Sequence, residues 1–254
     1  MIADVPLGTF LSGGIDSSII TALAAKNSNS SINTFSIGFK DEPLFDETKY
    51  AELVAKKYQT NHHTFKLSND DLLNSFFDFI ENIDEPFADS SALAVNILSK
   101  ETRKHVTVAL SGDGADEIFS GYHKHMAEYI ARKGLLSHQL IGKIGPVLDY
   151  LPKSRNTKLG NVFRKAKKFS DGIKLTNAER YWNWASIMNE AYTKNLLIKD
   201  IPTNTYNTRK QNLLSSLRTD DFNEVLLTDV KMVLKSDMLK KVDSMSMHNS
   251  LEVR

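Results

Sequence analysis

No cysteine occurs in the 254 residues, which excludes disulfides, thiolate zinc sites, iron–sulfur clusters and a cysteine nucleophile from this sequence. An excess of either charge is also missing. Lys plus Arg number 32 against 31 Asp plus Glu, a net charge of +1, so the global basic bias of a dedicated nucleic-acid binder is absent. No nucleic-acid partner is expected, and any polyanion site must be local. No apolar run approaches the roughly 18 residues of a membrane span, and the N-terminus lacks the charged-then-apolar pattern of a signal sequence. No membrane partner is expected, and the localisation expected is cytoplasmic. A Gly-x-Ser-x-Gly elbow is absent, leaving an esterase triad unsupported. What remains is ordinary globular composition, 41% hydrophobic and 25% charged, at a length that suits one large domain or a domain and a half.

The neutral total hides an uneven distribution. Residues 41–120 hold 16 acidic and 7 basic residues, a balance of −9, whereas 131–174 hold 11 basic and 2 acidic, a balance of +9. The basic stretch, with Arg164, Lys165, Lys167 and Lys168, reads first as a solvated helix face or an intramolecular match to the acidic half. A phosphate or partner patch is the other reading.

Before residue 130, strand and helix patterns alternate. Val5–Leu11 is a short apolar run, and Asp16–Lys26 carries Ile19, Ile20, Leu23 and Ala24 at helical spacing. Residues 32–39 read as a strand and 46–58 as a helix with Tyr50, Leu53, Val54 and Tyr58 on one side. A third strand at 62–67 precedes a helix at 70–83 with Leu72, Leu73, Phe76 and Ile80 inward, then a helix at 92–104. His105–Leu110 is a near-continuous apolar strand of the kind covered on both faces. This alternation predicts an α/β fold, a parallel sheet covered by helices. Strand signals are few after 130, and helical spacing continues, for example over 213–239. The expected division is a strand-and-helix core at 1–130 and a helical part at 131–254.

Ser12-Gly13-Gly14-Ile15-Asp16-Ser17-Ser18 lies where a parallel strand ends and a helix begins, the place where open α/β sheets bind ligands. Paired glycines let backbone amides turn inward at the positive end of a helix dipole. With the Ser12, Ser17 and Ser18 hydroxyls beside them, they suit a phosphate or pyrophosphate. A Walker loop would need a lysine where Asp16 stands. A carboxylate next to phosphate requires a bridging cation, usually magnesium, so Asp16 predicts a metal. Ser111-Gly112-Asp113-Gly114-Ala115-Asp116-Glu117 also follows an apolar strand, which puts both loops on one rim of the sheet with Asp116 as the second carboxylate. Either loop alone could be a glycine turn with a helix cap. The pair points to a site.

Leu11-Ser12-Gly13-Gly14-Ile15-Asp16-Ser17 resembles the pyrophosphate-binding loop of the ATP pyrophosphatases, which split ATP between its α and β phosphates. GMP, NAD, argininosuccinate and asparagine synthetases and tRNA-thiolating enzymes share that loop. Three further stretches narrow the choice. They are Ser111–Glu117 with Gly121-Tyr122, Asp84-Glu85-Pro86-Phe87-Ala88-Asp89, and Lys241–Ser246 running to Leu251-Glu252-Val253-Arg254. Together they are similar to the synthetase domain of glutamine-hydrolysing asparagine synthetases, over essentially the whole chain. The resemblance implies ATP and magnesium as cofactors. Leu11, Ser12, Gly13, Gly14, Asp16 and Ser17 would hold the phosphates, Ile37 would lie against adenine, and Ser111 and Gly112 would contact the nucleotide. Asp16 and Asp116 would bind magnesium. Asp113 would take an acid or substrate-orienting role, and Lys241 would help neutralise phosphate charge. The implied enzyme is an AMP-forming carbon–nitrogen ligase of asparagine biosynthesis that adenylates aspartate to β-aspartyl-AMP and amidates it with ammonia.

The sequence departs from the complete pattern at both ends. Glutamine-hydrolysing members begin with a glutaminase domain whose nucleophile is an N-terminal cysteine, and they continue past the position of Arg254 into a Val-Pro-Phe-Leu-Asp stretch. A fragment is therefore expected, with the glutaminase domain a partner in the full-length protein and Met1 an internal methionine. Three alternatives stay open: a relative acting on another carboxylate, an inactive nucleotide-binding piece, and an RNA modifier using the basic stretch. The last is disfavoured by the neutral charge and the lack of cysteine. A homo-oligomer is also left open. His62-His63 and His123-x-His125 read as surface or cap residues and not as metal ligands, since cysteine is absent and His123 and His125 fall on different helix faces. The cluster Tyr181, Trp182 and Trp184 reads as core or interface.

Overall fold

Short runs of β-branched and aromatic residues punctuated by helices build a parallel sheet. The computed structural model describes residues 4–85, 87–134, 145–152, 154, 157–188, 190–196, 204–218 and 220–254. They divide into two compact units, Met1–Ala115 with Lys235–Arg254, and Asp116–Leu234.

The first unit carries strands β1 (Leu7–Phe10), β2 (Asn33–Phe39), β3 (Asn61–Leu67), β4 (Val108–Leu110) and β5 (Glu252–Val253). Their order in the sheet is β3-β2-β1-β4-β5, and every pairing is parallel. The connecting helices are α1 (Ile15–Lys26), α2 (Thr48–Tyr58), α3 (Asn69–Glu81) and α4 (Ser91–Arg103). From β1 the chain first builds outward to β2 and β3, then returns to place β4 on the other side of β1. The strand order therefore reverses between β1 and β4, and the carboxyl ends of these two strands are where such sheets take ligands.

Alternation along β2 separates two chemistries. Phe35 and Ile37 join an apolar cluster with Leu98 of α4, Val106, Ala109 and Leu251. Thr34 and Ser36, on the opposite face, hydrogen-bond His62 of β3, at 2.8 and 3.3 Å. Thr9 of β1 pairs its buried hydroxyl with Thr21 of α1 at 2.9 Å.

Helix faces differ from the periodicity reading. In α1 the buried residues are Ser17, Thr21 and Ala24, while Ile19 and Leu23 are exposed. In α2 they are Thr48, Ala51 and Ala55, with Tyr50 and Leu53 exposed. In α3 Phe79 is buried, whereas Leu73, Phe76 and Ile80 are exposed. Small residues let α1 and α2 approach the sheet closely. Spacing identifies an apolar stripe but not which way it points.

Residues 235–254, expected to go with the helical part, are compact with the sheet. Helix Leu239–His248 packs on α4, and β5 adds to β4 in the register Val108↔Glu252. A two-residue strand has no periodicity to detect.

The second unit is helical, with Lys158–Gly172, Asn177–Ala185 and Asn204–Leu214 among its helices. The helical spacing expected through 213–239 is interrupted. A 3-10 turn at Ser215–Arg218 precedes helix Asn223–Asp229, which runs on into a π-helical stretch at Val230–Met238. Tyr181, Leu214, Leu217 and Val225 form its apolar core. Around them lie buried charges. Arg180 donates from Nε and Nη2 to the two oxygens of Glu128, at 3.1 and 2.9 Å, and Arg132 Nε adds a third bond at 3.2 Å. Asp229, fully buried, accepts from Lys124 at 2.8 Å, from Tyr181, and from His125 Nε2 at 2.5 Å. His125 is thus a core residue and not a cap or surface residue. Of the basic stretch, Lys167 pairs with Asp149 and Asp171, and Lys168 donates to the Trp184 carbonyl, all within this unit. Residues 135–144, 153, 155 and 156 of that stretch lie outside the described residues.

Candidate active site

Leu11 is buried, and its amide extends the β1–β2 ladder by donating to the Phe35 carbonyl at 2.8 Å. The chain then turns at Gly13, whose φ is +85°. A Cβ there would lie 2.5 Å from Tyr50 C and Ala51 N at the start of α2, so both conformation and space require glycine. Gly14 then caps α1 without any side-chain cap. The first-turn amides of a helix have no partner within it, and here they open at the carboxyl end of β1.

Hydroxyls knit the loop. Gly14 N–H donates to Ser12 Oγ at 3.2 Å, Ser12 Oγ and Ser17 Oγ share a bond of 3.0 Å, and Ser12 N–H donates to Ser17 Oγ at 3.2 Å. Ser18 Oγ donates to the Gly14 carbonyl at 2.6 Å. These bonds fix the loop in shape, and preorganised donors are what an anion site needs.

The loop after β4 meets this one directly. A Cβ on Gly112 would lie 3.0 Å from Ser17 N and 3.1 Å from Asp16 Cβ, so Gly112 sits against the start of α1 at a distance that a side chain would disturb. Ser111 N–H donates to the Arg254 carbonyl at 2.8 Å, continuing the ladder toward β5. Its hydroxyl donates to Asp113 Oδ2 at 2.6 Å, and Asp113 N–H returns to Ser111 Oγ at 3.1 Å. The structure therefore brings Ser12, Gly13, Gly14, Asp16, Ser17, Ser111 and Gly112 into one rim at the point where strand order reverses. Ile37 lies in the carboxyl half of β2, partly buried beside the Phe35 cluster. Asp116 opens the second unit, one peptide bond beyond Ala115.

Lys241 is placed differently from a phosphate-facing lysine. It is 6% exposed and donates to Asp89 Oδ2 at 2.7 Å and Ser91 Oγ at 3.0 Å. Burial alone would raise the Asp89 carboxyl. The Lys241 ammonium and the Ser91 amide and hydroxyl outweigh it, holding Asp89 below the ordinary 3.8. Both partners stand near helix starts, Asp89 and Ser91 at that of α4 and Lys241 at that of 239–248. Each helix feeds the amino end of a parallel strand and must begin toward the carboxyl rim. The pair thus lies at the same end of the sheet as the glycine loops. Sequence reading found Lys241 but not its partner, because an ion pair between positions 89 and 241 leaves no local pattern. Lys240 repeats the tie with Glu85 at 2.9 Å.

The rim's donors are hard oxygens and amides. The Asp16 carboxylate, the seryl hydroxyls and the uncapped first-turn amides of α1 match a magnesium–phosphate group in chemistry. Among the described residues no three His, Cys, Asp or Glu gather to hold an ion. His62 is engaged with Thr34 and Ser36, and His63 with Asn33 at 3.2 Å. Among the described residues no helix is long and apolar enough to cross a membrane.

The family described as Asparagine synthase matches residues 1–254. Asparagine synthetase [glutamine-hydrolyzing] 1 of Bacillus subtilis is 33% identical over all of this chain and 39% of its own length. Asparagine synthetase [glutamine-hydrolyzing] 3 of the same organism is 33% identical over 48% of the chain and 22% of its own length. The glutamine-hydrolyzing asparagine synthetase of Zea mays gives 33% over the same shares. The chain thus spans about two fifths of the Bacillus relative it matches in full.

Proposed function

The chain belongs to the asparagine synthase family, and from that premise we propose that it carries the ATP-dependent step of asparagine synthesis. A carboxylate is a poor acyl donor at neutral pH, so amide formation needs prior activation. In the proposed reaction an oxygen of the aspartate side-chain carboxylate attacks the α-phosphorus of ATP, the bond to the bridging oxygen breaks, and pyrophosphate leaves with that electron pair. Ammonia then attacks the acyl carbon of β-aspartyl-AMP, AMP departs, and the nitrogen loses a proton.

The observation that carries this reading is the contact of Gly112 with Asp16 and Ser17 where strand order reverses. It supports assigning the Ser12–Ser18 loop to the β and γ phosphates, whose charge the amides of the loop and α1 start would stabilise as pyrophosphate leaves. Leu11 would support that loop from the sheet. Ser111 and Gly112 would contact the nucleotide, with Ile37 against the base. Asp113, held by Ser111, would orient the acceptor. Asp16 and Asp116 are the proposed magnesium ligands, and the ion when bound would screen phosphate charge. Its burial and pairing favour a different part for Lys241: it would hold the 84–91 loop in shape and act on the phosphates only through that loop. Aspartate and ammonia are the proposed substrates, and a glutaminase domain the proposed ammonia source in a longer protein.

Pyrophosphate release from ATP and magnesium, with aspartate and ammonium, tests the proposal. Release should require aspartate and vanish in Asp16→Ala. Release indifferent to aspartate, or ATP binding without release in this chain and in one extended past Arg254, would remove the asparagine assignment.

A further inference from the structure

We infer that Gly121 and Tyr122 are positioning residues that hold the Asp116 carboxylate in place, an inference that rests on the reading of Asp116 as a magnesium ligand. The short helix Ala115–Phe119 ends abruptly. Ser120 takes the left-handed conformation, with φ of 65°, and Gly121 N–H donates back to the Asp116 carbonyl at 2.9 Å. This single bond across the turn is a helix-ending device, and it brings residue 121 under residue 116. A Cβ on Gly121 would lie 1.7 Å from Asp116 Oδ1, 2.7 Å from Asp116 Cγ and 3.1 Å from Asp116 Cα. The carboxylate therefore occupies the space that the missing side chain leaves, and any other residue at 121 would drive it out.

A second tie crosses the same turn one residue further on. Tyr122 Oη donates to Glu117 Oε1 at 2.7 Å, and Glu117 is fully buried. The other oxygen of Glu117 is buried with no hydrogen-bond partner among the described residues, so the phenol is what anchors that side chain. The backbone bond from 121 to 116 and the side-chain bond from 122 to 117 together leave the turn little freedom. Groups that orient a metal ligand from behind are worth tenfold to a hundredfold in metal affinity.

The test uses Mn²⁺ as the probe, with free ion followed by electron paramagnetic resonance in the presence of ATP, on the wild-type chain and on Asp116→Asn, Gly121→Ala and Tyr122→Phe. Binding of metal-free ATP in EDTA is measured alongside. Asp116→Asn and Gly121→Ala should each weaken Mn²⁺ binding about tenfold or more, and Tyr122→Phe somewhat less, while metal-free ATP affinity does not fall in either turn variant. Wild-type Mn²⁺ affinity in Asp116→Asn would remove the ligand reading and with it this inference. A tenfold loss in Asp116→Asn beside wild-type affinity in both Gly121→Ala and Tyr122→Phe would leave the ligand reading standing and overturn the positioning role. Parallel loss of metal-free ATP binding in both turn variants would overturn it too, as the mark of a merely structural part.

Discussion

The two units of this chain solve the problem of buried polarity in different ways. The first buries hydrocarbon on one face of its sheet and paired hydroxyls on the other, and keeps charges at the rim. The site proposed for it is built from backbone amides, serines and glycine-sized gaps. The second buries full charges, with Glu128 between Arg180 and Arg132, and Asp229 among His125, Lys124 and Tyr181. The contrast teaches that a site reads out of sequence when it is built from local loop chemistry. A core held by long-range charge pairs does not.

The sharpest way to break that contrast is to unpair a charge in the second unit. Glu128→Ala removes the buried carboxylate that Arg180 holds with two hydrogen bonds and should cost about 3–5 kcal/mol, seen as a lowered midpoint in urea denaturation. A loss within experimental error would show that the network is spectator polarity.

Acid and base should separate the units next. In the first, burial holds His62 and His63 below their ordinary 6.5. Their neutral forms favour the fold, so that stability is present above pH 6.5 and is lost as pH falls through the lowered values. In the second, burial would raise Asp229, but His125, Lys124 and Tyr181 outweigh it and hold it below 3.8. Its contribution is intact above pH 3.8 and lost below. Burial, with Asp229 and Glu117 respectively, pushes Tyr181 and Tyr122 above their ordinary 10.0, a contribution complete below pH 10 and lost as pH rises beyond it. Hydrogen exchange against pH should therefore show β2 and β3 softening first on acidification, while helices 123–132 and 177–185 hold to lower pH.

A smaller effect sharpens the hydroxyl side of the comparison. Thr9→Val strands the buried Thr21 hydroxyl and should cost about 1–3 kcal/mol, whereas adding Thr21→Val removes both partners and should recover most of it. Equal losses in the single and double variants would show that packing and not the hydrogen bond matters at that position.

Legibility followed the same division. Strands β1 to β4 and helices α1 to α4 were readable to within a few residues, because period and turn residues are local signals. The glycine loops were readable for the same reason. Helix faces are less legible, since in α1 Ser17 and Thr21 pack inward beside Ala24 while Ile19 and Leu23 of the apolar stripe are exposed; β5 escapes because two residues carry no pattern. The ion-pair partners of His125 and Lys241 lie 104 and 152 residues away, a separation no window along the chain can span. Gly121 was noticed as part of a motif, but its reason, the carboxylate of Asp116 resting on it, required the fold.

The central claim is that the rim between β1 and β4 binds ATP through its phosphates. Equilibrium binding of ATP with magnesium to the wild-type chain and to Gly13→Ala tests it most directly, with helical content checked by circular dichroism. The account predicts that the wild type binds and that Gly13→Ala, its helices intact, loses about tenfold or more in affinity. Equal binding by the two proteins would contradict it.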